Sequence, residues 1–305
     1  MSAVQAVAQP VAARRRSRFR IRPAKWLLNI VVILVAAFWL MPTIGLAIIS
    51  LRPESLFQQS GWWTVLTAPS QLTLQNYQTL FSQGLISGGL LDSLLTSAEI
   101  TVPATLLVTV ISSLTAYSIA FGRWRGRTLC FFIIIGLMVV PVQVALIPVV
   151  QLYRAFGSVT GFNPFGTVLG VIIFHVAFGL PFGIFLMNNF YSGLPRELLE
   201  AARIDGAGEW RLFSRIVLPL GLPAAASLAI FQFIWVWNDL LVALVFLGAS
   251  KHFPLTIFLF DQIRTLAANY WIISTGGMVS ILVPLIVFFS FQRYFVRGVL
   301  AGAVK

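Results

Sequence analysis

The run Trp26-Leu-Leu-Asn-Ile-Val-Val-Ile-Leu-Val-Ala-Ala-Phe-Trp-Leu-Met-Pro-Thr-Ile-Gly-Leu-Ala-Ile-Ile-Ser-Leu51 holds 26 residues without one charge, between Lys25 and Arg52. A helix needs about 20 largely apolar residues to cross a bilayer. A cleaved leader has an apolar core of only roughly 7–15, so the run reads as a first span over 26–51. Working outward, Ile100–Gly122 is also free of charge and extends upstream past Glu99, which predicts a second span over 93–122. A third is expected over 128–153. Ala155–Pro195 lacks Asp, Glu, Lys and Arg, but its 41 residues exceed one span. Its first part, Phe156–Gly166, contains Asn163-Pro164 and reads as a loop, leaving a fourth span at 167–190. The fifth, over 219–247, contains Asp239; the sixth covers 270–295.

Composition agrees. Of 305 residues, 58 % are hydrophobic and 10 % charged, and the mean hydropathy is +0.90. A soluble domain carries about 25 % charged residues, so these charges are too few to cover a soluble surface. Disorder is excluded on the same ground. The expected class is an all-α integral membrane protein with six transmembrane helices. One cysteine, Cys130, and two distant histidines, His175 and His252, allow neither a disulfide nor a zinc cluster. No catalytic, cofactor-binding or metal-ligating residue is assigned.

The net charge of +12 is unevenly spread. Seventeen of the 21 Lys and Arg fall in the tail 1–25, the 2–3 and 4–5 loops and the C-terminal end. Basic residues in short loops mark the cytoplasmic side, so both termini are expected in the cytoplasm. The Arg14–Lys25 cluster reads as a topology anchor on anionic lipid, not as a nucleic-acid footprint. The polar segment 52–92 is then an extracytoplasmic loop with a short amphipathic helix carrying Leu74, Tyr77, Leu80 and Phe81. Prolines at 103, 141, 148, 181 and 284 punctuate the spans. The GxxxG pairs Gly166/Gly170 and Gly179/Gly183 are weak signs of close helix contact.

The cytoplasmic loop 191–218 is the most informative. It contains Leu194-Pro-Arg-Glu-Leu-Leu-Glu-Ala-Ala-Arg-Ile-Asp-Gly-Ala-Gly-Glu-Trp-Arg-Leu-Phe-Ser-Arg-Ile-Val-Leu-Pro219. Ser192 suits an N-cap and Pro195 a first helical turn. Gly206 suits a left-handed helix end, and a second helix is expected from Glu209 toward Pro219. Leu198, Leu199 and Ala202 form one apolar side. A short helix that presents small and charged residues outside the bilayer suits docking into a groove of another protein.

This stretch resembles the EAA loop of ABC-importer permeases: Glu200-Ala201-Ala202, then Gly206, Ile216 and Leu218-Pro219 at the family spacing. Trp235-Val-Trp237-Asn238-Asp239, Leu72–Tyr77 and the tail Gln292–Lys305 resemble carbohydrate-uptake permeases, on the side of the maltose-type second permease subunit. The resemblance implies a type I ABC importer permease fold, forming half of a channel for a sugar, such as a di- or oligosaccharide or glucoside. It implies as partners an ABC ATPase dimer, a second, related permease and an extracytoplasmic sugar-binding protein, in a bacterial or archaeal inner membrane. It assigns Glu200, Ala201, Ala202, Asp205, Gly206, Ile216, Leu218 and Pro219 to ATPase coupling. ATP and Mg would be bound by that ATPase, with no cofactor in this subunit. A P-loop needs Gly-Lys before Ser or Thr. The three lysines follow Ala24, Ser250 and Val304, so the standard motif is absent.

Sugars are held by aromatic faces and by amide or carboxylate groups. Gln232, Trp235 and Asp239 lie at i, i+3 and i+7 of the expected fifth helix, on one face; with Asn238 they are the candidate substrate path. A charged group is expensive in lipid, which turns that face inward. Packing against a partner permease is the alternative. His175 is expected to be a satisfied core histidine. Two other functional classes are weighed. A permease for a non-sugar solute fits the EAA loop but not the Trp-Asn-Asp segment. An ion-coupled secondary transporter calls for midplane ionisable groups and repeats, whereas Asp239 and Glu99 stand without a detectable repeat.

Overall fold

A computed structural model of the chain describes residues 23–57, 59–83, 89–248, 250–264 and 270–303. The tail arginines from Arg14 to Arg22, and Val304-Lys305, lie outside the described residues. The chain divides into two compact units, Met1–Gly45 and Leu46–Lys305. The first, as far as described, is the greater part of α1 (Pro23–Ser50). The second holds α2 (Gln75–Gln83), α3 (Leu90–Phe121), α4 (Arg127–Leu137), α5 (Val142–Thr160), α6 (Val168–Ser192), α7 (Arg196–Ile204), α8 (Glu209–Leu212), α9 (Leu218–Trp237), α10 (Leu241–Leu247), α11 (Leu255–Arg264) and α12 (Tyr270–Ala303).

Among the described residues, six helical stretches are long and apolar enough to cross a membrane: Trp26–Ser50, Leu90–Phe121, Val142–Thr160, Val168–Ser192, Glu209–Trp237 and Tyr270–Arg293. The all-α, six-span expectation holds. Three local expectations do not. The helix expected over 128–153 breaks between Leu137 and Val142: Pro141 disfavours helix at Val140 before it, offers no N–H, and stands extended (ψ 132°) at the start of α5. The segment expected as a loop over 156–166 is helical through Thr160, where Gly161 ends α5 in the left-handed region. The span expected over 219–247 is two helices, α9 and α10, parted at Asn238–Leu240.

The bundle core is α3, α6 and α9, with α12 on the far side of α9. Without a hydrophobic drive between helices in lipid, small residues and polar contacts set the packing. On α6, a Cβ at Gly179 would stand 2.7 Å from the Gln232 amide of α9, and one at Gly183 would strike the Ser112 hydroxyl of α3. One GxxxG pair therefore serves two neighbours, one glycine each. The other pair is local: Gly166 sits in a loop at positive φ, and Gly170 lies under the Pro164 carbonyl. Trp237 ties α9 to α12 by donating its indole N–H to the Ser280 carbonyl at 3.1 Å.

The polar segment after α1 is held by buried donors. Arg52 donates to the Ser60 hydroxyl at 2.6 Å and the Ser60 carbonyl at 3.1 Å. The Asn76 amide donates to the carbonyls of Ser50 and Arg52 at 3.0 and 2.7 Å. Asn76 and Tyr77 of the Leu72–Tyr77 segment thus anchor α2 to the end of α1, Tyr77 through the Ser50 hydroxyl at 2.8 Å.

Candidate functional site

The hairpin α7–α8 follows directly from its sequence, apart from its start. Ser192 ends α6 instead of capping α7, and Pro195 stands at the N-cap, one position before the expected first turn. At the other end the Ala207 N–H reaches the Ala202 carbonyl and the Gly206 N–H the Arg203 carbonyl, both at 3.0 Å. This is a Schellman closure, with Gly206 at φ +80° as its left-handed residue. A Cβ on Gly206 would meet nothing within 4 Å, so the demand for glycine is purely conformational.

The apolar side of α7 is narrower than expected. Leu199 is 2 % exposed and packs with Met187 and Tyr191 of α6, Ala116 of α3 and Val217. Leu198 is 48 % exposed and points away, as do Ala201 and Ile204. Leu199 fastens α7 to the bundle and fully buried Leu212 fastens α8, while Leu198, Ala201 and Ile204 form an outer surface flanked by exposed Glu200 and Asp205.

Pro219 explains the turn before α9. Proline cannot donate to the carbonyl four residues back, and Phe213–Val217 widens into a π-helical turn, with the Leu218 N–H bonding the Phe213 carbonyl. Ile216 is half-buried and Val217 fully buried, so the motif residue itself does not enter the core. Sequence reasoning missed Tyr117 of α3, whose hydroxyl donates to the Glu209 carboxylate. Arg203 of α7 pairs with the same carboxylate at 3.1 Å. No local pattern could have shown this, because 92 residues separate Tyr117 from Glu209.

The candidate substrate path is partly assembled. Gln232 is buried with its amide on Gly179. Trp235 lies edge-on to His175, ring centres 5.5 Å apart. Asp239 stands 3.7 Å from the same imidazole. These three residues do share the side of α9 that meets α6, although the helix ends before Asp239. Asn238 does not join them: it is exposed, and its amide donates to the Ile234 carbonyl at 2.8 Å. Asp239 then accepts the Ala243 N–H at 3.2 Å. The Asn-Asp pair therefore stops one helix and starts the next, and Thr256 of α11 clasps the break by bonding the Asp239 carbonyl at 2.8 Å.

His175 is 1 % exposed, but its Nδ1 has no hydrogen-bond partner among the described residues. The Gln232 Nε2 and the Asn188 Oδ1 are also unpartnered. His175 is a core residue as expected, with its Nδ1 left unpaired by the described protein atoms. The space beside Asp239, His175 and Ser97 is about 10 Å³, room for roughly one water, so the cluster is a closed crevice in this conformation.

These features define a multi-pass helical membrane protein whose α7–α8 hairpin is tied to its spans by buried leucines and the Tyr117–Glu209 bond. Residues 108–301 match the family described as binding-protein-dependent transport system inner membrane component, and the chain belongs to that family. It is 43 % identical over 279 residues to the osmoprotective compounds uptake permease protein GgtD of Synechocystis, covering 91 % of each chain. It is 44 % identical over 240 residues to the alpha-glucoside transport system permease protein AglG of Rhizobium meliloti, covering 78 % of this chain and 62 % of the relative. Its fold is that of a chain in a bacterial alginate ABC transporter crystallised with an alginate-bound periplasmic protein, with TM-score 0.65, 16 % identity, and 89 % of this chain and 94 % of the other covered.

Proposed function

We propose that this permease forms half of the path of an ATP-driven sugar importer and takes its drive through the α7–α8 hairpin. The carrying observation is the division of labour on α7. Leu199 is locked among α3, α6 and Val217, while Leu198, Ala201 and Ile204 face outward. A force applied to that outer surface reaches the spans through buried Leu199 and Leu212 and through the Tyr117–Glu209 bond.

In this reading Glu200, Ala201, Ala202, Asp205 and Gly206 meet a cytoplasmic ATPase. Alanines at 201 and 202 permit close approach, and Gly206 turns the chain. Ile216, Leu218 and Pro219 shape the π-turn that joins the hairpin to α9. ATP and Mg belong to the ATPase dimer. A second, related permease completes the channel, an extracytoplasmic binding protein delivers the sugar, and both termini face the cytoplasm. The solute is a glucoside or short oligosaccharide, a choice supported by the alpha-glucoside and other sugar permeases among the relatives. Gln232, Trp235 and Asp239 line its path when the α6–α9 crevice opens, with Asn238 ending α9 beside them; the unpartnered His175 and Gln232 groups support that use, since a buried polar atom left unpaired is costly.

The test is the assembled transporter in proteoliposomes, with its binding protein and a panel of glucosides. ATP hydrolysis stimulated by an alpha-glucoside supports the reading. Uptake by the permease alone under an ion gradient overturns it.

A further inference from the structure

At the end of α3 the chain turns into α4, and α7 lies against this turn. A cavity of about 200 Å³ opens there, with four arginines on its walls: Arg123, Arg127, Arg196 and Arg203. One carboxylate, Glu200, shares the lining. Arg127 is held in place by donating to the Gly122 carbonyl at 2.6 Å, and Arg203 by its pair with Glu209. Among the described residues, neither Arg123 nor Arg196 stands within 4 Å of a carboxylate, and Arg123 acts on Glu209 only from a longer distance. The cavity thus keeps a clear excess of positive charge, which nothing in the hairpin reading uses.

Guanidinium groups are the side chains best matched to phosphate, because their planar forks donate two parallel N–H bonds. The remaining wall is apolar, from Phe121 and Leu199. Phe121 is the last residue of α3, one of the six helices long and apolar enough to cross a membrane, so the cavity stands at the level of that helix's end. Directly after Arg127, Leu129 and Phe132 are exposed along α4, a surface on which acyl chains can lie. Basic pockets between spans at this level suit lipid headgroups.

We propose that this cavity binds a phosphate ester anion, the headgroup phosphate of an anionic membrane lipid. The bound phosphate would clamp the α3–α4 turn to α7, so lipid charge would act directly on the hairpin. A free phosphate offers the same chemistry without the acyl chains, and an acidic side chain of a partner protein would compete for the same arginines.

The complete transporter is reconstituted in phosphatidylcholine vesicles containing a trace of photoactivatable phosphatidylglycerol, or of photoactivatable phosphatidylcholine. Adducts on the peptides around 120–140 and 194–203 are quantified after irradiation. The phosphatidylglycerol probe should label these peptides well above the phosphatidylcholine probe, and each of Arg123→Gln and Arg196→Gln should lower the excess by about fivefold. Charge-keeping Arg123→Lys and Arg196→Lys should retain part of it, more than the Gln variants, and Arg211→Gln, an exposed arginine outside the cavity, should retain all of it. Labelling that persists in millimolar inorganic phosphate assigns the site to lipid; labelling lost there keeps the phosphate site and assigns it to a soluble anion. Equal labelling by the two probes, or unchanged labelling in the Arg123→Gln/Arg196→Gln variant, overturns the proposal.

Discussion

The hydroxyl of Tyr117, four residues before the end of α3, donates a hydrogen bond to the carboxylate of Glu209 at the start of α8. Arg203 of α7 pairs with the same carboxylate, so Glu209 joins both arms of the hairpin to a span. The Arg203–Glu209 pair is largely exposed and adds little stability by itself. Its value is geometric. Tyr117→Phe should leave insertion and ATPase retention intact but lower sugar imported per ATP hydrolysed by about fivefold, an exposed hydrogen bond being worth roughly 1 kcal/mol. Proteoliposomes with both quantities measured together check this.

Gly206→Ala tests the closure of α7. A left-handed conformation costs a residue with a Cβ about 1–2 kcal/mol, and no steric contact adds to it. The permease should insert normally while co-purifying ATPase falls about fivefold or more. Glu200→Gln should weaken retention less, since an exposed ion pair is worth about 0–1 kcal/mol. Normal ATPase retention and uptake in both variants would sink the coupling role.

Gly179→Ala should destabilise the bundle, because its Cβ would lie 2.7 Å from the Gln232 amide. Overpacking of this kind costs about 1–3 kcal/mol. Gln232→Ala in the same chain should restore much of the loss, and the two changes should be strongly non-additive. Thermal unfolding midpoints of the four purified proteins measure it.

Asn238→Ala removes the side chain that ends α9. Helix should extend toward Asp239, and uptake should fall about two- to fivefold, for a bond of roughly 0.5–1 kcal/mol, with the ATPase still bound. Trp235→Ala should also lower uptake without releasing the ATPase. Unchanged uptake in both would leave Gln232, Trp235 and Asp239 as packing residues only.

The spans were legible because a helix that crosses lipid needs about 20 largely apolar residues in a row, as Trp26–Leu51 supplies. The breaks at Pro141 and Asn238 were not. In a bilayer the residues on both sides of a break are equally apolar, so hydropathy runs through it unchanged. Asn238 and Asp239 stood out as polar residues, yet their polarity suggested a ligand before it suggested a helix stop and start. The closure at Gly206 was legible because positive φ excludes most other residues. The start of α7 was misplaced because Ser192 suits a cap as well as it suits the last turn of α6. Which of two adjacent leucines anchors the hairpin was beyond periodicity, since Leu198 and Leu199 differ by only 100° around α7. Tyr117 was invisible because its partner lies five helices further along the chain.

The central claim is that the outer surface of α7 is where a separate ATPase pushes. A photo-cross-linking amino acid in place of Ala201 tests it most directly, in membranes containing the whole transporter, with the same group in place of buried Leu199 as the inward control. The account predicts that the Ala201 position yields an adduct with a protein carrying Gly-x-x-x-x-Gly-Lys-Ser/Thr, and that its yield changes when ATP is added. Adducts confined to the permease itself at both positions, with uptake intact, would contradict it.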